Sequence, residues 1–374
     1  MHLRTEGRVR PGAMRHNNDA IEIPGPATEG SGWGRVSRGQ LMIETLEDGL
    51  SELSGDRVRV RSIRANELGK STSFAIHRVD VQLESGAVLP VIFKDLNPLR
   101  QRGNAKRIRQ LELSRSRREL WMYRHVLPGL ALGTPQLYGY RWEPKQGNLW
   151  LLLENVGQHR LDGQHIADGG FAARLALFVQ AAAWAGRFHA ATAEMPGDER
   201  LLRYDRAHYE RRGKHLGAYL ERIAEESRPL IERALARHDT MVKLVDGLPH
   251  GMIHGEFFGK NVLARRDQST DAIAVIDWET AGTGPLYVDL VSISAGHWAR
   301  RERMAMRRAY FDARYSPGAD WRRFNEEADI MAILQAVSWL GYWVGSDTSD
   351  PRYARHVSRW MRELRTSMCD DVPA

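Results

Sequence analysis

Three short runs between residues 58 and 93 alternate apolar and polar positions at the two-residue period of a half-buried strand. Val58, Val60 and Ile63 are separated by arginines, Phe74-Ala75-Ile76 leads into Val79, Val81 and Leu83, and Val88 to Phe93 is largely apolar. Glu84, Ser85 and Gly86 mark the turn between the last two. Ahead of them, Leu41, Met42, Leu46, Leu50 and Leu53 recur at helical spacing and predict an amphipathic helix packed on the sheet. A helix is predicted over residues 105 to 126, stopping before Pro128 and Gly129, then strands over 136–142 and 149–153 joined by Pro144-Lys145-Gln146-Gly147. From about residue 157 the period is mainly helical, with helices expected near 170–192, 205–224, 228–246, 287–313, 321–345 and 351–366. An antiparallel sheet with one helix, followed by a helical region, is an α+β architecture of two lobes, 39–154 and 155–374. Residues 1–38 lack apolar periodicity and are expected to form a disordered tail, with order only near Trp33.

Composition narrows the class without naming a reaction. Hydrophobic content of 42% and charged content of 27% are ordinary for a water-soluble globular protein of 374 residues. One cysteine, Cys369, excludes an intramolecular disulfide and fits a reducing cytoplasm. No signal-peptide-like apolar stretch opens the chain, and Arg174, Gln180 and Arg187 interrupt its most apolar segment, so no membrane association is expected. The net charge of +7 and the cluster Arg100, Arg102, Lys106, Arg107, Arg109, Arg115, Arg117 and Arg118 raise nucleic acid as a partner. Aromatics do not interleave with these residues and no nucleic-acid motif is present, so a solvated helix face is the expectation. Only seven lysines occur, and Lys70, Lys94 and Lys260 fall in segments where a compact ammonium would meet phosphate.

The chemistry concentrates between residues 254 and 290. His254-Gly255-Glu256, Asn261, Asp277-Trp278-Glu279 and Asp289 place a carboxylate, an amide five residues on, and a second carboxylate one hairpin further. Phosphoryl transfer needs such a set: a group to orient the attacking hydroxyl, and oxygen ligands for Mg²⁺ on the nucleotide phosphates. The run 254–263, followed by Val275-Ile276-Asp277-Trp278-Glu279 and Ala281-Gly282-Thr283-Gly284-Pro285-Leu286, resembles the aminoglycoside phosphotransferase/choline kinase family.

The resemblance implies a protein-kinase-like fold and an ATP-dependent (or GTP-dependent) transfer to a small-molecule hydroxyl. It assigns Glu256 to the acceptor hydroxyl, Asn261 and Asp277 to Mg²⁺, and Lys94 to phosphate, with Glu119 holding the lysine (Glu112 is the alternative). Gly69, Lys70, Ser71 and Thr72 would cover the phosphates, and the main chain of Glu154 and Val156 would meet adenine. His254 and His189 are expected to be structural, and Asp289 to brace the metal loop or cap the next helix. His297, Trp298, Trp339, Tyr342 and Trp343 are candidate acceptor aromatics, though helical spacing of the last three fits core packing. The acceptor is left open among an aminoglycoside, another antibiotic, a sugar and an amino alcohol. One departure stands out: the family's usual base is aspartate, and this chain has Glu256. That residue leaves a nucleotide-binding pseudokinase with a regulatory or scaffolding role as the alternative.

Overall fold

The computed structural model describes residues 21–24, 37–68, 74, 76–100, 113–265, 273–346 and 350–369. These residues group into two compact units. One is drawn from Met1–Leu96, Arg100–Arg107 and Tyr138–Leu153, the other from Asn97–Leu99, Ile108–Leu137 and Glu154–Ala374.

The first unit carries a sheet of β1 (Ile21–Pro24), β2 (Val60–Leu68), β3 (Ile76–Leu83), β4 (Val88–Asp95), β5 (Leu137–Glu143) and β6 (Asn148–Glu154), in the order β1-β2-β3-β4-β6-β5. The pairs β1–β2, β2–β3 and β3–β4 are antiparallel. Strand β1 lies inside the segment expected to lack structure. It covers the otherwise open edge of β2 with Ile21 opposite Ala65, which satisfies backbone groups that an edge leaves unpaired. Helix α1 (Arg38–Ser54) begins at Ser37, whose hydroxyl accepts the Gln40 N–H, and ends on Gly55 in the left-handed conformation. Its apolar stripe, Met42, Ile43, Leu46 and Leu50, is buried against Val60, Ile63, Val79, Val81, Val91 and Phe93. The helix approaches β5 so closely that a Cβ on Gly49 would stand 2.0 Å from the Tyr138 carbonyl oxygen. At the end of β4, buried Asp95 accepts from Arg38 and, at 3.0 Å, from Arg100, while the Arg38 guanidinium covers Phe93 and Trp150. The strand end that presents Lys94 is thereby fixed to the start of α1.

The second unit is mainly helical: α2 (Leu113–Trp121), α3 (Gln164–Asp168), α4 (Phe171–Ala191), α5 (Arg206–Ala218), α6 (Arg228–Leu244), α7 (Tyr287–Ile293), α8 (Arg300–Arg314), α9 (Trp321–Val344) and α10 (Pro351–Cys369). Two small sheets run through it. One orders β11 (Ile273–Val275), β10 (Val262–Ala264) and β7 (His159–Arg160); the other orders β8 (Leu202–Arg203), β12 (Gly282–Pro285) and β9 (His250–Ile253). Among the described residues no helix is long and apolar enough to cross a membrane.

Two further expectations are corrected. The single helix expected over 287–313 is α7 and α8, because Glu363 accepts the Gly296 N–H at 2.7 Å and Arg303 donates to the Gly296 carbonyl at 3.0 Å, holding a loop between them. Of the basic stretch, Arg102, Lys106, Arg107 and Arg109 lie outside the described residues, and its described end is not simply a solvated face: Ser116, Arg118 and Glu119 of α2 are buried. Arg118 donates to the carbonyls of Arg200 and Glu279, which is why α2 groups with the helical unit.

Gly49→Ala should destabilise the protein by about 1–3 kcal/mol, because a methyl group would be forced against backbone. A lowered urea midpoint with an unchanged m-value is the expected reading.

Candidate active site

Strand β9 ends at Ile253 and delivers His254-Gly255-Glu256 into a loop. Downstream, the β10–β11 hairpin pairs Val262 with Val275, and the Ile276 N–H donates to the Asn261 carbonyl at 3.0 Å. That one extra rung brings Asn261 beside Ile276 and Asp277. Asp277 has φ 70° and ψ 61°, a left-handed conformation that costs an L residue about 1–3 kcal/mol and is found where function fixes the backbone. Aspartate tolerates it better than most residues because its short polar side chain can bond locally.

A single buried carboxylate organises the loop. Asp289, in the first turn of α7, accepts the His254 N–H at 2.7 Å, the Gly255 N–H at 3.0 Å and a contact from His189 Nε2 at 3.2 Å. His189 Nδ1 in turn meets the Tyr310 hydroxyl at 2.7 Å. His254 Nδ1 accepts from the Glu256 N–H at 3.3 Å, so Nε2 is the protonated nitrogen and donates to the Ile276 carbonyl at 3.0 Å. Burial lowers the His254 pKa, only partly opposed by Asp289, which keeps this neutral tautomer in place. Thr280 Oγ1 donates to the His254 carbonyl and Tyr204 OH to the Thr280 carbonyl, at 3.2 and 3.0 Å. The Tyr204 phenol is pushed up by burial and then by Glu256 and Asp289, so it stays a donor. Gly255, at φ 82°, has no room for a side chain: a Cβ would stand 2.4 Å from the Thr280 carbonyl oxygen.

Glu256 is largely buried, its side chain 18% exposed, and Lys260 Nζ donates to its Oε2 at 2.7 Å. Asn261 Nδ2 donates to the Glu256 carbonyl at 2.9 Å, which sets the orientation of its Oδ1. Among the described residues no three His, Cys, Asp or Glu side chains form a protein-only metal cage. Asn261 and Asp277 instead fit the Mg²⁺ habit of taking one or two protein oxygens and completing its shell with phosphate and water.

Lys94 is buried in the first unit, at the end of β4, and Glu119 is buried in the second, in α2. Glu154 donates its N–H to the Gln136 carbonyl at 2.8 Å, and its carboxylate receives Arg265 at 3.1 Å and the Gln136 N–H at 3.2 Å. Val156 packs with Leu263 and Ala274, against half-buried Ile276. Gly69, Lys70, Ser71, Thr72 and Glu112 lie outside the described residues. His189 and His254 are structural, as expected, and Asp289 braces the loop of Glu256 rather than that of Asp277.

With this geometry in view, the model of the phosphotransferase enzyme family matches residues 103–326, more than half of the chain. The chain belongs to the phosphotransferase enzyme family. No curated protein sequence matches this phosphotransferase. Solved structures share its fold at low identity. The GDP complex of aminoglycoside 2'-phosphotransferase-IIIa has a TM-score of 0.53 at 11% identity, over 90% of this chain and 100% of that one. A microcompartment-associated aminopropanol kinase gives 0.55 at 13%, over 83% and 91%. Choline kinase from Cryptosporidium parvum Iowa II gives 0.54 at 10%, over 88% and 95%. The phosphotransferase therefore has the α+β, protein-kinase-like fold.

Sequence reasoning missed Tyr204 and the buried contacts of Arg118. Tyr204 carries no motif, and Arg118 was read only as one of a basic cluster.

Two histidines of the phosphotransferase give it a pH dependence. His208 and His356 are both lowered to about 4, in each case mainly by burial and then by neighbouring arginines. A depressed folded pKa favours the neutral ring, so the stability is complete above about 6.5, the unfolded value, and is lost as pH falls towards 4. Urea midpoints should fall between pH 7.5 and 5, and fall less in His208→Gln.

Proposed function

We propose that the protein transfers the γ-phosphoryl group of ATP, or of GTP, to a hydroxyl of a small molecule in the cytoplasm. The observation that carries this reading is the hydrogen-bonded linkage of Glu256, Asn261 and the Asp277 turn, all referred to one buried carboxylate. ATP with Mg²⁺, when bound, would supply the electrophilic phosphoryl group and neutralise charge on its oxygens. Glu256 orients the acceptor hydroxyl and takes its proton as the new O–P bond forms and the bond to the leaving diphosphate breaks. Asn261 Oδ1 and the Asp277 carboxylate would hold the cation, on loops set by the β10–β11 register. Lys94 supplies positive charge to phosphate, with Glu119 as its proposed partner. The loop containing Gly69, Lys70, Ser71 and Thr72 is assigned to phosphate, and the main chain at Glu154 and Val156 to the base.

Lys260 accounts for the unusual base. A glutamate reaches one methylene further than an aspartate, and an error of about 1 Å can cost on the order of 100-fold in rate. The 2.7 Å ion pair fixes where the longer side chain ends. The same ion pair also supports a second reading, in which Glu256 is neutralised and the site binds nucleotide without transfer.

Calorimetric titration of ATP and GTP, with and without Mg²⁺, is the direct test. Metal-dependent binding is expected, and its absence for both nucleotides would sink the assignment. Asp277→Ala should reduce turnover by about 10²–10³-fold or more with the fold intact. Glu256→Asp separates the two readings: a positioned base predicts a fall of roughly 100-fold in kcat, a site that does not transfer predicts a gain.

A further inference from the structure

Beside Glu256 the helical unit presents a wall of aromatic rings and cations. The Lys260 ammonium, paired with Glu256, lies 5.7 Å from the centroid of Phe258. Phe258 meets Trp339 and Trp360 edge-on, at 5.5 and 6.0 Å, and those two indoles stack on each other at 5.7 Å with 6° between their planes. The Arg359 guanidinium lies 5.1 Å from the Phe258 centroid and 5.6 Å from that of Trp360. One of its terminal nitrogens donates to the Ala295 carbonyl at 3.2 Å, while its Nε is buried with no hydrogen-bond partner. Phe258 and Trp360 are buried; Trp339 and Lys260 are half-exposed, so the wall has an accessible end.

Beyond the Lys260–Glu256 pair, the charge of this wall is positive. Helix α10 carries Arg352, Arg355, Arg359, Arg362 and Arg365 against Glu363 alone, and Glu363 is already held by Arg303 at 2.7 Å and by the Gly296 N–H. Arg352 is paired with Asp350. The other acidic group acting on Arg359 is Asp162, which is exposed. His356 stacks on Trp343 at 4.2 Å and is kept neutral by burial, helped by Arg355, Arg359, Lys260 and Arg352.

We propose that the acceptor carries its hydroxyl on an apolar, ring-sized body with an anionic group, its body on the half-exposed Trp339, which Phe258 and Trp360 back from within, and its anion towards Lys260 and Arg359. The inference rests on the phosphotransferase reading for placing the hydroxyl at Glu256. A guanidinium already positioned over rings binds carboxylate or phosphate oxygens at little further ordering cost. A polycation or an amino alcohol would set like charges against Lys260 and Arg359, which opposes binding. This acceptor class differs from the amines in the names of the aminoglycoside, aminopropanol and choline enzymes that share the fold.

Three probes with one ring and one hydroxyl test the charge order: 3-phenyllactate, the neutral 3-phenylpropane-1,2-diol and the cationic 2-amino-3-phenylpropan-1-ol. Each is titrated calorimetrically into the full chain, and kanamycin and ATP with Mg²⁺ are titrated into the same preparation. Expected is at least tenfold tighter binding of phenyllactate than of the cationic probe. Arg359→Gln should remove most of that preference while nucleotide affinity holds. Equal or tighter binding of the cationic probe or of kanamycin overturns the proposal, as does failure of every probe to bind while ATP binds. Phenyllactate binding with the expected charge order but without nucleotide binding would uphold the anion-selective wall and remove the phosphotransfer reading instead.

Discussion

The structure of the site depends on where the charge of Asp289 goes. A carboxylate buried to 1% exposure is tolerated only when its oxygens are occupied, because unpaired charge in a dry interior costs several kcal/mol. Two successive backbone N–H groups, of His254 and Gly255, and the ring of His189 occupy them. The loop entering Glu256 therefore has its first two amides specified by a residue more than thirty positions away. His254 extends the constraint, since it accepts from the Glu256 N–H and donates to the Ile276 carbonyl one residue before Asp277. The loops of the proposed base and of the proposed cation ligand are thus referred to one anion. Tyr310 and Thr280 close the circuit from α8 and from the turn after Asp277.

That circuit also explains how a strained residue persists. Asp277 sits in a left-handed conformation between the Ile276 amide, fixed by Asn261, and a short helical turn at Trp278–Thr280. The turn is held from two sides, by Arg118 on the Glu279 carbonyl and by Tyr204 on the Thr280 carbonyl. Trp278 fills the space beneath, against His254 at 4.5 Å and Phe188 at 5.2 Å. Strain of about 1–3 kcal/mol is sustainable when this many contacts determine the backbone on both sides. Arg118 adds a further consequence: it precedes Glu119 in α2, so the helix carrying that glutamate is anchored to the turn of Asp277.

Much of the fold was legible because it rests on periodicity. The apolar spacing of Leu41, Met42, Leu46 and Leu50 marked α1, and the alternation in Val79, Val81 and Leu83 marked β3. The motif residues were legible for a different reason: Glu256, Asn261 and Asp277 are tied by short-range hairpin geometry that sequence spacing reflects. What failed was tertiary in origin. The break between α7 and α8 is held by Glu363 and Arg303, and its local signal, Gly296 at φ 143°, does not by itself end a helix. The burial of Arg118 depends on carbonyls of Arg200 and Glu279, far away in sequence. The pairing of Ile21–Pro24 with β2 is set by an open sheet edge, which a window of tail residues does not contain.

Glu256 and Lys260 show why a departure from a familiar pattern needs its neighbours to be interpreted. Taken alone, a glutamate in the aspartate position is a misplaced carboxylate. An ammonium four residues later, 2.7 Å away, sets where that carboxylate ends and lowers the cost of holding it charged in a largely buried place. The same ammonium lies beside Phe258, so the proposed base and the proposed acceptor surface share one side chain. A shorter base would withdraw from this lysine, and the lysine would then be left to the acceptor or to solvent. If both proposals hold, the glutamate, its lysine and the cationic aromatic wall are a single adaptation, in which a longer base and a positively charged acceptor side occur together.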